Sequence, residues 1–242
     1  MNEAETEYEL IEPKLREVGW GVVEGSRLRK QYPITRGEIK LGGQRAAPLK
    51  ADYILIYKNR KLAVIEAKSD EVGYRDGIAQ AKNYSDLLNL NFGYATDGSD
   101  IYEIEIKINP DGKKTISFEG NITKFPSPDE LWNKVFKESN EWEDKFNSVE
   151  YTQFKGDLEP RYYQEIAINE ALKAISQEKN RILLTLATGT GKTVIAFHIA
   201  WKLFHSRWNI QRVGTRHPRI LFLADRNILA NQAFNSFGAF EE

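Results

Sequence analysis

Asp52, Glu66 and Lys68 are residues whose types and spacing suit them to chemistry. They lie in the stretch ADYILIYKNRKLAVIEAK, residues 51–68. Side chains alternate along a strand, so Val64, Glu66 and Lys68 share one face and Ala63, Ile65 and Ala67 the other. An acid and an ammonium then point the same way at the end of an apolar run. Asp52 opens the neighbouring strand and can lie across from them. Two carboxylates and a lysine converging on a sheet edge suit phosphodiester hydrolysis. Asp52 and Glu66 offer hard oxygen ligands for Mg²⁺, with the Ala67 carbonyl as a further one. Such a metal lowers the pKa of a bound water, and Lys68 would orient that water or balance the developing charge. The spacing alone also fits a plainer arrangement, an aspartate at a strand start and a Glu–Lys pair on a solvated edge.

Two more sets of residues stand out. Gln80 and Tyr84 are four apart in a stretch that reads as a helix over 77–90, so they share a face. Farther on, Ala187-Thr188-Gly189-Thr190-Gly191-Lys192-Thr193 lies between the apolar run RILLTL (181–186) and a helical pattern over 192–204. Strand, glycine-rich loop and helix form the context of a phosphate-binding loop. Backbone N–H groups and the helix N-terminus would cradle a β-phosphate. Lys192 would reach the β- and γ-phosphates and Thr193 would ligate Mg²⁺.

The elements that must position these residues can be read in outline. Strands are expected over 52–57 and 62–68, joined by the polar turn 58–61. Residues 3–18 read as one helix, with Tyr8, Ile11, Leu15 and Val18 at helical spacing and Pro13 as a kink. Residues 20–50 read as irregular and basic, through Arg27, Arg29, Lys30, Arg36, Lys40, Arg45 and Lys50. Further strands are expected over 92–96, 101–108 and 115–118, the last two joined by the turn Asn109-Pro110-Asp111-Gly112. Ser127, Pro128 and Glu130 carry a capping-box signal for a new helix. Residues 139–158 read as linker. A helix over 161–175 and a second buried strand over 219–224 complete the pattern. The segment between the last helix and that strand carries Arg207, Arg212, Arg216, Arg219 and Trp208, fitting either a DNA-facing loop or a solvated insertion. The fold class is α/β: a mixed sheet flanked by helices over 1–124, a helical linker over 125–158, and part of a parallel α/β domain over 159–242.

Composition sets bounds. The chain has 242 residues and a formal net charge of −1, so attraction for nucleic acid must come from local patches rather than a global basic field. It has no cysteine, which excludes disulfides and thiolate metal sites and suits a reducing cytoplasm. The acidic start MNEAETEYEL lacks a signal-peptide core, and no apolar run approaches a membrane span of roughly 20 residues.

The arrangement D…ExK…QxxxY over Asp52, Glu66, Lys68, Gln80 and Tyr84 resembles the PD-(D/E)xK nucleases, in particular their RecB-like branch. The resemblance implies that Gln80 and Tyr84 sit beside the catalytic carboxylates and contact the metal site or DNA backbone. It implies a restriction-endonuclease-like core, with a first-helix glutamate near the metal; Glu3, Glu5, Glu9 and Glu12 are available for that place. The loop ATGTGKT is similar to motif I of superfamily 2 helicases, which implies a RecA-like motor that binds ATP. In that family Gln164 of Arg161-Tyr162-Tyr163-Gln164 would read adenine, and the Asp225–Gln232 stretch is similar to motif Ia. These parts in this order resemble the restriction subunit of type I restriction-modification enzymes. The resemblance implies Mg²⁺-dependent cleavage of double-stranded DNA, ATP-driven translocation, and methylation and specificity subunits as partners. A repair nuclease-helicase and a non-catalytic docking module are the competing expectations. No DExx acids follow Thr193, so this chain is expected not to hydrolyse ATP by itself.

Overall fold

The structure, a computed structural model, describes residues 1–35, 47–109, 113–137, 140–152, 159–223, 237 and 240. The chain forms two compact units, Met1–Lys137 and Glu138–Glu242.

The first unit is built on a six-stranded mixed sheet in the order β1-β2-β3-β4-β5-β6. The strands are β1 (Ser26–Pro33), β2 (Lys50–Tyr57), β3 (Arg60–Ala67), β4 (Phe92–Thr96), β5 (Ile101–Ile108) and β6 (Lys114–Ile122). Neighbours are antiparallel except β3 and β4, which run parallel because the helix α3 (Arg75–Leu87) crosses between them. Lys58 and Asn59 turn β2 into β3, with φ of 48° and 60°. Positive φ at both central residues matches the twist of a two-residue hairpin.

One sheet face carries Tyr53, Leu55, Tyr57, Leu62, Ile65, Phe92 and Tyr94. Ile11, Leu15, Trp20, Phe125, Leu131 and Trp132 cover it. On the other face Ala81 of α3 packs against Ala95, Ile104 and Ile106. The expected capping box is present on α4 (Pro128–Val135): Ser127 Oγ accepts from the Glu130 N–H, and the Glu130 carboxylate accepts from the Ser127 N–H.

Three local expectations change. The first helix is not uniform: α1 (Glu3–Thr6) and α2 (Glu12–Glu17) flank a π turn at Glu7–Ile11. That turn lies just before Pro13, whose ring would crowd the Glu9 carbonyl in an unbroken α-helix. The wider turn rephases the faces, so Ile11 and Leu15 are fully buried while Tyr8 is exposed. Residues 26–33 are a strand, not irregular chain. β1 is a sheet edge, and its charged side chains suit an edge strand that must not pair with another molecule. The segment 125–158 is no single linker: Phe125, Leu131 and Trp132 belong to the first core, while Phe146 packs in the second unit.

The second unit holds α5 (Glu141–Ser148), α6 (Tyr162–Ser176) and α7 (Lys192–His205) around Phe146, Ile168, Leu172, Ile195 and Leu203. The buried Lys202 donates to the Phe146 and Val149 carbonyls at the end of α5. A cation there complements the partial negative charge of a helix C-terminus. The strands expected over 181–186 and 219–224 are not formed by the described residues. Leu183, Leu221 and Leu223 are more than four-fifths exposed. A parallel pair needs cover on both faces, and no described element supplies it here. The motif Ia-like stretch and the turn at 110–112 lie outside the described residues, as do Arg36, Lys40 and Arg45. Among the described residues no helix is long and apolar enough to cross a membrane.

Candidate active site

The register of Tyr53 with Ile65 carries Asp52 to the level of Glu66. Asp52 Oδ2 accepts from the Ala67 N–H at 2.8 Å, which ties the start of β2 to the end of β3. Lys68 lies one residue beyond β3 yet still donates its N–H to the Thr96 carbonyl at 2.9 Å, so it keeps the alternation of the strand. Its Nζ lies 4.0 Å from Glu66 Oε2. The convergence expected of Asp52, Glu66 and Lys68 is therefore present in the geometry.

Glu66 is 2% exposed, and its Oε1 is buried without a hydrogen-bond partner. Burial pushes its pKa up to about 8; the negative charge of Asp52 adds to the rise and Lys68 opposes it. A buried carboxylate oxygen with no donor is costly unless something else satisfies it. A divalent cation would, and the hard-oxygen set suits Mg²⁺.

The helix after β3 closes over this edge. An ideal Cβ placed on Gly77, in the first turn of α3, would lie 3.5 Å from Glu66 Cβ and Lys68 Cγ. Tyr84, on the same helix, is buried; its phenol is raised by burial, then by the charges of Glu66 and Asp52, while a hydrogen bond with Gln80 opposes the rise. Gln80 itself is exposed. One helix face thus presents Tyr84 to the carboxylates and Gln80 to solvent beside them.

The first helix adds an acid that the expectations omitted. Carboxylate oxygens of Glu3, Glu7 and Asp52 lie within 4.8 Å of one another. Glu7 Oε2 also accepts from Tyr53 Oη at 3.0 Å, and its carboxyl is raised by burial. Glu12 is drawn to Lys30, and Tyr53 Oη lies 3.4 Å from it. Glu5 caps α1 through the Asn2 N–H. Glu7 and Glu12 are five apart, a spacing that a π turn aligns, and both reach the Tyr53 hydroxyl. A reading at 3.6 residues per turn could not have paired them; Pro13 was the available signal.

In the second unit Gly189 and Gly191 adopt φ of 80° and 81°, and Gly191 caps the N-terminus of α7. Lys192 Nζ and Thr190 Oγ1 both donate to the Ala187 carbonyl, at 3.1 and 2.8 Å. Thr188 is exposed at the loop tip and Thr193 is half-buried in the first turn of α7. Gln164 is buried and engaged with the loop: its Nε2 donates to the Thr190 carbonyl at 2.9 Å and its Oε1 accepts from the Arg161 N–H at 2.9 Å. It retains one N–H and one lone pair for another partner. Arg161, Gln164, Gly189 and Gly191 line a small cleft with Glu159 and His198.

Residues 157–242 match the family model described as the res subunit of type III restriction enzymes. The chain is 34% identical over 242 residues to the endonuclease subunit of the type I restriction enzyme EcoAI of Escherichia coli, covering 98% of this chain and 28% of that protein. It is 26% identical to the corresponding EcoKI subunit of Escherichia coli strain K12, covering 24% of it. A solved fragment assigned as an HsdR subunit of a type I restriction enzyme from Vibrio vulnificus YJ016 superposes with a TM-score of 0.77 at 40% identity, over 93% of this chain and 42% of that one. The chain therefore spans about a quarter of the length of its curated relatives. Over that span it is similar to the endonuclease subunits of type I restriction enzymes, with a mixed-sheet unit followed by a segment that matches the res-subunit model.

Proposed function

We propose that the first unit is the Mg²⁺-dependent nuclease core of a type I restriction subunit and cleaves double-stranded DNA. The observation that carries this reading is the buried, donor-free Oε1 of Glu66 beside Asp52, with Lys68 at the same edge. Asp52 and Glu66 would hold the metal, with Glu7 on the first helix as a further oxygen donor. A bound Mg²⁺ supplies charge for the scissile phosphate and lowers the pKa of an attacking water. Lys68 orients that water and balances charge on the phosphate, next to the carboxylate that would otherwise repel it. Tyr84 shields the carboxylates on the α3 side, and Gln80, exposed one turn away, contacts the DNA backbone.

The second unit supplies the nucleotide-binding start of a motor that couples ATP to DNA translocation. Gly189 and Gly191 shape the loop; Lys192, which donates to the Ala187 carbonyl, would hold the phosphates, and Thr193 would ligate Mg²⁺. Gln164 spans the loop and the adenine side. Methylation and specificity subunits would complete the complex in the cytoplasm and supply the target sequence.

The test is cleavage of plasmid DNA by the assembled enzyme. Asp52→Ala, Glu66→Ala and Lys68→Ala should each lower it by at least two orders of magnitude while leaving the circular dichroism spectrum unchanged. Near-normal cleavage by any one variant removes that residue from the site.

A further inference from the structure

Gln31 has a backbone conformation that its sequence surroundings do not require. Its φ is 48°, inside β1. The other non-glycine positive-φ residues among those described lie in turns, loops or just past helix ends. A left-handed residue with a side chain inside a strand is strained and persists only where its surroundings impose it. Core packing does not impose it, because Gln31 is exposed. The ladder does not either. Lys30 pairs with Tyr53 and Tyr32 with Ala51 on either side of it.

What the conformation accomplishes is local. The register sets Gln31 opposite Asp52, and Gln31 Nε2 donates to Asp52 Oδ1 at 3.3 Å. The other oxygen of the same carboxylate is held by the Ala67 N–H. Asp52 is thereby clamped from both neighbouring strands, one oxygen each. A carboxylate oxygen has two lone pairs, so Oδ1 can keep the amide while offering its other lone pair to a cation. Ligating carboxylates are commonly fixed by such outer hydrogen bonds.

We infer that Gln31 is a positioning residue for Asp52: its strained backbone aims the side-chain amide at Oδ1 and holds the carboxylate in the orientation that binds a divalent cation. This rests on the metal-site reading above, and the experiment separates the two. Mn²⁺ binding to the purified 242-residue chain is measured by electron paramagnetic resonance of the free ion. Gln31→Met keeps the length and the backbone demand but deletes the amide. Gln31→Gly deletes the amide and accepts the positive φ without strain. Both should bind Mn²⁺ about 10-fold more weakly than the wild type, and Gln31→Gly should not lower the thermal midpoint. Wild-type affinity in Gln31→Met overturns the inference, whether or not Gln31→Gly is weakened. If Mn²⁺ binding survives in Asp52→Ala, the metal-site reading itself fails and takes this inference with it.

Discussion

Glu66 connects chemistry to stability most directly. Its folded pKa, about 8, lies above the ordinary value of 4.5, so between those values the native state holds a proton that the unfolded chain releases. The sign follows: this group's contribution is most favourable below about pH 4.5 and is lost progressively as pH rises toward 8. Without metal, wild type should lose up to a few kcal/mol between pH 5 and pH 8 relative to Glu66→Gln, in which no ionisation occurs. Chemical denaturation in the presence of a chelator at several pH values checks this. Parallel stability curves for the two proteins would show that Glu66 ionises freely. Added Mg²⁺ should close the gap, because the ion offsets the buried charge and its binding expels the proton.

The helix α3 is the element on which the arrangement of Tyr84 and Gln80 depends, and its seat on the sheet is Gly93. A Cβ at Gly93 would lie 2.4 Å from Ser85 Oγ and 3.2 Å from the Ala81 carbonyl oxygen. Gly93 is therefore needed for close approach, with ordinary strand pairing to Val64 and Ile104. Gly93→Ala should push α3 outward, cost about 1–3 kcal/mol and reduce DNA cleavage through Tyr84. Adding Ser85→Ala should recover part of the lost stability, since it removes the nearer clash. A Gly93→Ala protein as stable and as active as wild type would mean that α3 is not held where Gly93 and Ser85 meet.

At the scale of the molecule, the core that supports the candidate site closes only with α4. Trp20 Nε1 donates to the Pro126 carbonyl at 2.8 Å, Tyr57 Oη donates to Asp129 at 2.8 Å, Phe125 packs edge-on against Tyr94 of β4 and Trp132 against Tyr57 of β2, and Leu131 is buried in the same core. Residues 1–137 should fold alone and bind Mn²⁺ as the full chain does. Residues 1–124 should not fold, because losing several large buried side chains at about 3–5 kcal/mol each exceeds the usual net stability of a domain. Heat denaturation of the two truncations decides the matter. A cooperative transition in the shorter piece would place the boundary near residue 124.

The sequence by itself determined the local features. Alternation placed Glu66 with Lys68, the four-residue spacing placed Gln80 with Tyr84, the capping box marked α4, and the glycines marked a loop ahead of α7. Each is a short-range rule in which a side chain or backbone torsion answers to neighbours a few residues away. Tertiary structure decided the rest. The edge strand β1 is too charged to announce itself, and its place beside β2 depends on pairing with residues some twenty-five positions later. Glu7 enters through a π turn that breaks the helical period. The donor-free oxygen of Glu66 exists only because α3 and two strands exclude water from it. Among the described residues the apolar runs 181–186 and 219–223 form no strand, because strand formation requires partners and cover that local sequence does not provide. Burial, desolvation and cross-strand register are properties of distant segments brought together, so no local pattern encodes them.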